Sequence, residues 1–441
     1  MKRTMIKSLS EKKGQEVKIK GWVDTVRFQG KMAFFDFRDV SGKVQGIIFG
    51  KPEVLESAKE LRAEWVVELD GIINERPEKN INKDILNGDV EIEITKIQIL
   101  SGAEIPFDLN DELNLDISLD NRPYTLKSDK NKAIFKVQAE IVKAFRNTLG
   151  NFDFTEFQAP KIVGGDAEGG AEVYNIEYFK NTASLATSPQ LYKQIMVGVF
   201  EKVYSIGNVF RAEKHSTSRH LNEYSSLDFE MGFIKDHTDI MDMLAEVMRG
   251  IKKGVEENTK DELKLLQAEE LLIPDKIPTM KLSEAQVLLE EKLGFENAVG
   301  EPDLEPEHER ALCDYAKKEL KSDLIFVTHY PVSKRPFYTY EDEDEKGFTK
   351  SFDALFKGVE IVSGGQRRHD YDNLIEGLKM KGLNPDDFKF YLQAFKTGMP
   401  PHGGIGLGLE RITQKILGLK NVKEASLFPR EINRIDTLLS E

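Results

Sequence analysis

The chain has 441 residues, enough for two or three domains with substantial cores, and its 40% hydrophobic and 31% charged content is that of an ordinary globular protein. A formal net charge of −14 argues against indiscriminate coating of nucleic acid but leaves room for a local basic groove. The single cysteine, Cys313, excludes an intrachain disulfide and a cysteine-based zinc site. No apolar run approaches the ~18 residues of a membrane span, and MKRTMIKSLSEKKGQE has no apolar core of a signal peptide, so a cytoplasmic protein without a membrane partner is expected.

From residue 16 to 101 the pattern is β-rich. EVKIKGWVDTV, MAFFDFRD, KVQGIIFG, WVVELDGIIN and VEIEITKIQIL alternate apolar and polar positions or carry β-branched runs, with Gly or charged turns between them. Five short strands in this span predict a small barrel of the OB type over 1–102, with LRAEW ending a helix that caps it. Residues 103–130 have little periodicity and read as a hinge or linker. A third region, 131–441, opens with an amphipathic helix, because Ile134, Val137, Ile141, Phe145 and Leu149 recur at helical spacing. An extended segment holding Pro160 follows. Next come a helix near 189–199, strands at 202–211 and 225–234, and a helix over 237–253. The charged region 255–320 reads as an insertion or satellite subdomain, within a 255–345 stretch that contains a modest insertion. A strand at 357–363, helices near 371–382 and 385–396 and a glycine-led helix from 407 close the chain. Strands without regular βαβ alternation predict an α+β domain, with a mostly antiparallel sheet flanked by helices.

Chemistry concentrates in a few places. Arg211 and Arg219 stand within RAEKHSTSRHLNE, and Arg411 follows the glycine run GIGLGLE. A guanidinium keeps its charge and presents several donors in a planar fork, so three of them suit a triphosphate. There is no G-x-x-x-x-G-K-[ST], so this is not a P-loop. The rival reading is a salt-bridged hairpin on a solvated surface. Gln190 and Lys193 fall one helical turn apart and share a face. Glu168 precedes two glycines. Asp353 and Glu360 are candidates for a hard cation, and Ser363, Gly364 and Gly365 let the backbone approach a ligand. Arg367 adds a further cation.

In this order and spacing the segments resemble the signature motifs of class II aminoacyl-tRNA synthetases. FRAEKHSTSRHLNE with SLDFEM is similar to the second motif, GIGLGLERI to the third, and the 134–160 helix and strand to the dimer-forming first. LDNR, EGG, SPQLYKQIM, GVEIVSGGQR and MPPHGGIGLGLER resemble the aspartyl-tRNA synthetase family of the compact archaeal-like kind, and FFDFRDVSGKVQ resembles its anticodon-binding OB domain.

That resemblance implies a two-step ligase. L-Aspartate and ATP give aspartyl-adenylate and pyrophosphate, and the aspartyl group then moves to the 3′ end of tRNA(Asp), with tRNA(Asn) left open as a second acceptor. It implies catalytic roles for Arg211 on the α-phosphate and for Arg219 and Arg411 on the outer phosphates. Glu213, His220, Leu221, Tyr224, Glu360 and Gly408 complete the ATP site, and Asp353, Glu360 and Ser363 are the implied Mg²⁺ ligands. Lys193 and Arg367 would bind the substrate side-chain carboxylate, with Glu168, Ser188, Gln190, Asp228 and Ser363 around the rest of the aspartate. Arg27, Phe34 and Gln45 would meet the anticodon, and a homodimer is implied. Two alternatives stay open: an asparagine synthetase built on the same catalytic domain, and a non-catalytic tRNA-binding paralogue. The N-terminal barrel counts against the first, and the three motif arginines against the second.

Overall fold

The computed structural model describes residues 2–82, 86–109, 111–165, 172–437 and 439. The chain divides into two compact units, Met1–Asp111 and Glu112–Glu441.

The first unit is a closed five-stranded barrel of β1 (Glu16–Gln29), β2 (Met32–Asp39), β3 (Gly42–Phe49), β4 (Val66–Glu75) and β5 (Val90–Ser101), in the order β1-β2-β3-β5-β4. Closure removes the free sheet edges that invite aggregation. Alternation decides which side chains enter: Val17, Ile19 and Val23 of β1 and Ala33, Phe35 and Phe37 of β2 point inward and are buried, while Phe34, Asp36 and Gln45 lie on the outer face. The capping helix is short, Pro52–Ala58, and ends before LRAEW rather than in it.

The second unit is built on an eight-stranded sheet. Its strands are β6 (Thr155–Glu156), β10 (Lys202–Phe210), β11 (Glu223–Gly232), β12 (Thr279–Lys281), β13 (Leu324–Thr328), β14 (Ser351–Phe356), β15 (Val359–Arg367) and β16 (His402–Gly408), in the order β12-β13-β14-β15-β16-β11-β10-β6. Only the two outermost pairings, β12 with β13 and β6 with β10, are parallel; the five between them are antiparallel. A separate three-stranded sheet holds β7 (Ile162–Val163), β8 (Asn175–Tyr178) and β9 (Asn181–Leu185). Helix Asp129–Asn151 is capped by Ser128, which accepts from Asn131 N–H, and it buries Ile134, Val137, Ile141, Phe145 and Leu149. It packs on helix His237–Asn258, whose Gly254 allows close approach to Ala144.

The structure departs from the sequence pattern in three places. The stretch 103–130 is not a uniform linker. It contains helices Leu115–Asp120 and Arg122–Thr125, and the buried Arg122 donates to the carbonyls of Leu427 (2.9 Å) and Ser426 (2.6 Å). The 255–345 stretch is no detached satellite: it supplies β12 and β13 to the main sheet, and helices Leu282–Leu293 and Pro306–Glu319 close a core over Ile325, Val327 and Leu355. Finally, the glycine run is itself a strand, β16, and the helix begins only at Leu409.

Candidate active site

Cross-strand register brings the chemistry together. On β11 the alternation Ser226, Asp228, Glu230 faces one way, while Leu227 and Phe229 face the core. Across β16, Asp228 pairs with Gly406 and Glu230 with Gly404; across β15, Ser363 pairs with Gly406 and Gly365 with Gly404. The missing side chains at 404 and 406 therefore form the floor between two polar strands. A methyl group at Gly404 would run into the Phe229 carbonyl and the Glu230 carboxylate, and one at Gly406 would come within 3.2 Å of Asp228 Oδ2.

That floor belongs to a cavity of about 320 Å³. Arg211, Glu213, Arg219, His220, Leu221 and Tyr224 line it from the β10–β11 connection and the start of β11. Ser188, Gln190 and Lys193 reach it from the N-terminal end of helix Gln190–Phe200, Asp228 from β11, and Glu360, Ser363 and Arg367 from β15. Gly408 and Arg411 close it. Asp353 stands behind Ser363, which donates to Asp353 Oδ1 at 2.6 Å. Glu168 lies outside the described residues. The segment 211–222 faces the cavity at Arg211, Glu213, Arg219, His220 and Leu221 and is exposed to solvent at 214–218, and Asn222 ties its two limbs by donating to the Arg211 (2.7 Å) and Glu213 (2.9 Å) carbonyls.

Four buried charges occupy one end. Lys193, 1% exposed, donates to Asp228 Oδ2 (2.9 Å) and the Ile405 carbonyl (2.8 Å), and its ammonium is 3.4 Å from Glu230 Oε2. Arg367 donates from Nε to Glu230 Oε1 (2.9 Å) and from Nη2 to the Gly404 carbonyl (2.9 Å), with its guanidinium carbon 5.3 Å from the Tyr338 ring centre. Burial works against ionising Glu230, but Arg367, Lys193 and the other neighbours outweigh it and hold the carboxyl below its ordinary range. Ser226 donates to the second oxygen of Asp228. The two cations therefore enter the site already balanced by two carboxylates, one of which, Glu230, is absent from the expected set. The β11 alternation that places Asp228 would have placed Glu230 as well.

A neutral network backs this quartet. Gln190 donates to Gln194, Tyr391 donates to Gln194, and Gln194 Nε2 is 2.9 Å from His402 Nε2. His402 Nδ1 is 2.8 Å from the Pro400 carbonyl, which requires the Nδ1–H tautomer and leaves Nε2 to accept from Gln194. Burial lowers the imidazole to about 4, so it is neutral at physiological pH.

The opposite wall holds acids. In an unbroken strand Glu360 and Ser363, three apart, would face opposite ways. An irregularity between Ala354 and Leu355 pairs Leu355 with Glu360 and leaves Ile361 as the extra residue, so both side chains share the face of Asp353. Burial and the nearby Asp353 charge raise the Glu360 carboxyl to about 7, against the opposing pull of Arg411 and Arg335. Two carboxylates and a hydroxyl are hard oxygen donors. They make a partial shell of the kind Mg²⁺ accepts, since that ion keeps waters and phosphate oxygens. Among the described residues no cluster of three or more Asp, Glu, His or Cys side chains forms a fuller cage. Arg411 Nη1 donates to the Glu360 carbonyl (2.9 Å), and Arg219 is 3.6 Å from Glu309. Arg335 and Tyr338 also line the cavity without having been expected there, and so does Glu410 at the end of the glycine run. Glu410 accepts from Ser225 N–H, and burial raises its carboxyl to about 7.

On the barrel, Arg27 pairs across β1 and β2 with Phe34, and Gln45 pairs with Asp36 on the same outer face. Arg27 is 3.2 Å from Asp36, and Arg76 donates to Gln45 Oε1.

Residues 114–432 match the family described as tRNA synthetases class II (D, K and N), and residues 17–100 match an OB-fold nucleic acid binding domain. The Aspartate--tRNA(Asp/Asn) ligase of Thermus thermophilus is 44% identical, over 98% of this chain and 99% of its own length. The Aspartate--tRNA(Asp) ligase of Pyrococcus abyssi is 39% identical, over 96% and 97%. The asparaginyl-tRNA synthetase of Pyrococcus horikoshii, solved with asparaginyl-adenylate, superposes with a TM-score of 0.90 at 31% identity, covering 99% of each chain.

Proposed function

The chain belongs to the class II tRNA synthetases of the aspartate, lysine and asparagine group, and from that premise we propose that it is an aspartate--tRNA ligase. It joins L-aspartate to ATP as aspartyl-adenylate, releasing pyrophosphate, and passes the aspartyl group to the 3′ end of tRNA. The observation that carries this reading is the pair Lys193 and Arg367 at the buried end of a cavity whose rim holds Arg211, Arg219 and Arg411. Asp228 and Glu230 balance the two buried cations, so what Lys193 and Arg367 offer an acid substrate is directed, charged N–H donors rather than excess charge. Arg367 uses two of its five N–H donors within the protein, which leaves others for a carboxylate.

In the first step the substrate α-carboxylate is already a nucleophile, so no protein base is required. Arg211 stabilises the charge at the α-phosphate, while Arg219 and Arg411, with His220 nearby, hold the outer phosphates. Tyr224, whose ring centre is 5.9 Å from the Arg211 guanidinium carbon, and Arg411 bracket the adenine, and Glu213 accepts from its amino group. Leu221 and Gly408 complete that wall. Ser188, Gln190, Asp228 and Ser363 orient the rest of the aspartate, with Glu168 assigned to the ammonium. Asp353, Glu360 and Ser363 would hold Mg²⁺, which supplies charge neutralisation across the phosphates. In the second step positioning of the tRNA end against the adenylate does most of the work.

On the barrel, Phe34 stacks on an anticodon base, Gln45 reads a base edge, and Arg27 contacts the strand. The relative named for both acceptors supports tRNA(Asn) as a second substrate. The protein acts in the cytoplasm as a homodimer, helix Asp129–Asn151 and the segment to Pro160 resembling the dimer-forming motif. No helix among the described residues is long and apolar enough to cross a membrane. The decisive experiment is aspartylation of separate tRNA(Asp) and tRNA(Asn) transcripts beside aspartate-dependent ATP–pyrophosphate exchange. Charging of both is expected; absence of exchange with pure, folded protein would overturn the ligase reading.

A further inference from the structure

On the reading of Asp353, Glu360 and Ser363 as divalent-cation ligands, a side-chain cation already stands among them. Arg335 follows the 3₁₀ turn Val332–Lys334 and lines the cavity. Its Nη2 donates to Asp353 Oδ2 at 2.8 Å and its Nη1 to Ser363 Oγ at 2.7 Å. The guanidinium carbon is 3.9 Å from the centre of the Tyr330 ring. Ser363 spends its own proton on the other oxygen of Asp353, so the guanidinium uses two of the three expected metal ligands at once. Arg335 Nε is buried and has no hydrogen-bond partner among the described residues.

A guanidinium and a divalent cation compete for this place, because both would be held by Asp353 and Ser363 and they repel each other at a few ångströms. The backbone around Arg335 is held independently: Lys381 Nζ donates to the Val332 (3.0 Å) and Ser333 (2.8 Å) carbonyls. A change of partner therefore falls to the side chain. Phosphate oxygens entering the same cavity offer a planar fork an acceptor that matches its geometry.

We propose that Arg335 is a built-in counter-ion of the metal subsite: it holds Asp353 and Ser363 while no nucleotide is bound, must release them before a divalent cation binds, and so couples metal entry to the arrival of nucleotide phosphates. The coupling is reciprocal, so ATP and the metal strengthen each other's binding. Arg335 is a positioning residue in this scheme, acting on the reaction through the metal ligands.

The test is titration of the full chain with Mn²⁺, followed by the electron paramagnetic resonance signal of the free ion, with and without ATP and in the absence of aspartate. Wild type is expected to bind Mn²⁺ weakly alone and strongly with ATP. Arg335→Met is expected to bind Mn²⁺ without ATP on the order of tenfold more tightly than wild type or better, since a unit charge is removed beside the ion. Glu360→Gln in that background should abolish the gain, which locates it. Arg335→Lys keeps the charge but cannot bridge both ligands, so it should show an intermediate gain; it also serves if the methionine variant does not fold. Unchanged or weaker Mn²⁺ binding in a folded Arg335 variant overturns the proposal. If wild type binds no Mn²⁺ even with ATP, the metal assignment fails instead, and the counter-ion role falls with it.

Discussion

Replacing Lys193 by Met removes one cation from the buried quartet and leaves Asp228 and Glu230 facing Arg367 alone. The ammonium is 2.9 Å from Asp228 and 3.4 Å from Glu230, and the three side chains are at most 2% exposed, so water does not screen the loss. Breaking such a buried pair costs about 3–5 kcal/mol. For the Glu112–Glu441 unit this means a fall in melting temperature of about 4–7 °C. The same change deprives the substrate carboxylate of a partner, which lowers kcat/KM for aspartate by roughly 30-fold to several-thousand-fold. ATP affinity should change by no more than about threefold, because the partners of Lys193 are Asp228, Glu230 and the Ile405 carbonyl rather than the three arginines. Adding Asp228→Asn separates the two effects: it restores charge balance and keeps an oxygen for Ser226, so stability should partly recover while aspartate activation does not. The measurements are thermal melting, ATP–pyrophosphate exchange against aspartate, and ATP binding by calorimetry. An unchanged melting temperature with unchanged aspartate kinetics would refute the reasoning, and so would an equal loss of ATP affinity.

Four further outcomes follow from the same geometry. Burial depresses His402 to about 4 from its ordinary 6.5, so the fold holds it neutral and its contribution is complete above pH 6.5 and lost as pH falls toward 4. His402→Gln should flatten stability against pH in that window, by up to about 3 kcal/mol, and an unchanged slope in urea denaturation would contradict this. Glu410 behaves oppositely: burial raises it to about 7, so its protonated form is favoured in the fold and stability declines as pH rises from about 4.5 through 7. Glu410→Gln should melt higher than wild type at pH 8, with the gap closing near pH 4.5; a gap independent of pH would rule the account out. Gly404→Ala forces a methyl group against the Phe229 carbonyl and the Glu230 carboxylate, so both the melting temperature and aspartate activation should drop. Phe34→Ala should raise KM for tRNA while leaving ATP–pyrophosphate exchange unchanged, because Phe34 belongs to the other compact unit; a parallel loss of exchange would count against its anticodon role.

Much of this protein is legible from local pattern. Residues 134, 137, 141, 145 and 149 repeat at the helical period because one stripe of that helix must be buried, and all five are. Alternation in 16–101 gives the barrel for the same reason with a period of two. The arginines at 211, 219 and 411 and the cations at 193 and 367 are recognisable because residue type states their chemistry. β13 and β14 escaped notice because every residue in them is buried, and a strand covered on both faces loses its alternation. The glycine run looked like a helix entry because glycine carries no polarity signal; as a strand, its alternate glycines clear the floor beneath Glu230.

What the sequence by itself determined, then, is which side chains carry charge and which face of each element is apolar, since these depend on residue identity and short-range periodicity. Which charges meet was decided only by tertiary structure. Glu230 enters the cation pocket through pairing with a strand more than 170 positions away. Glu360 joins Asp353 because one residue, Ile361, is left over in the ladder. Arg335 reaches Asp353 and Ser363, which stand on two neighbouring strands joined by a tight turn. Register between distant strands is set by how whole faces pack, and no local window of the sequence contains that information.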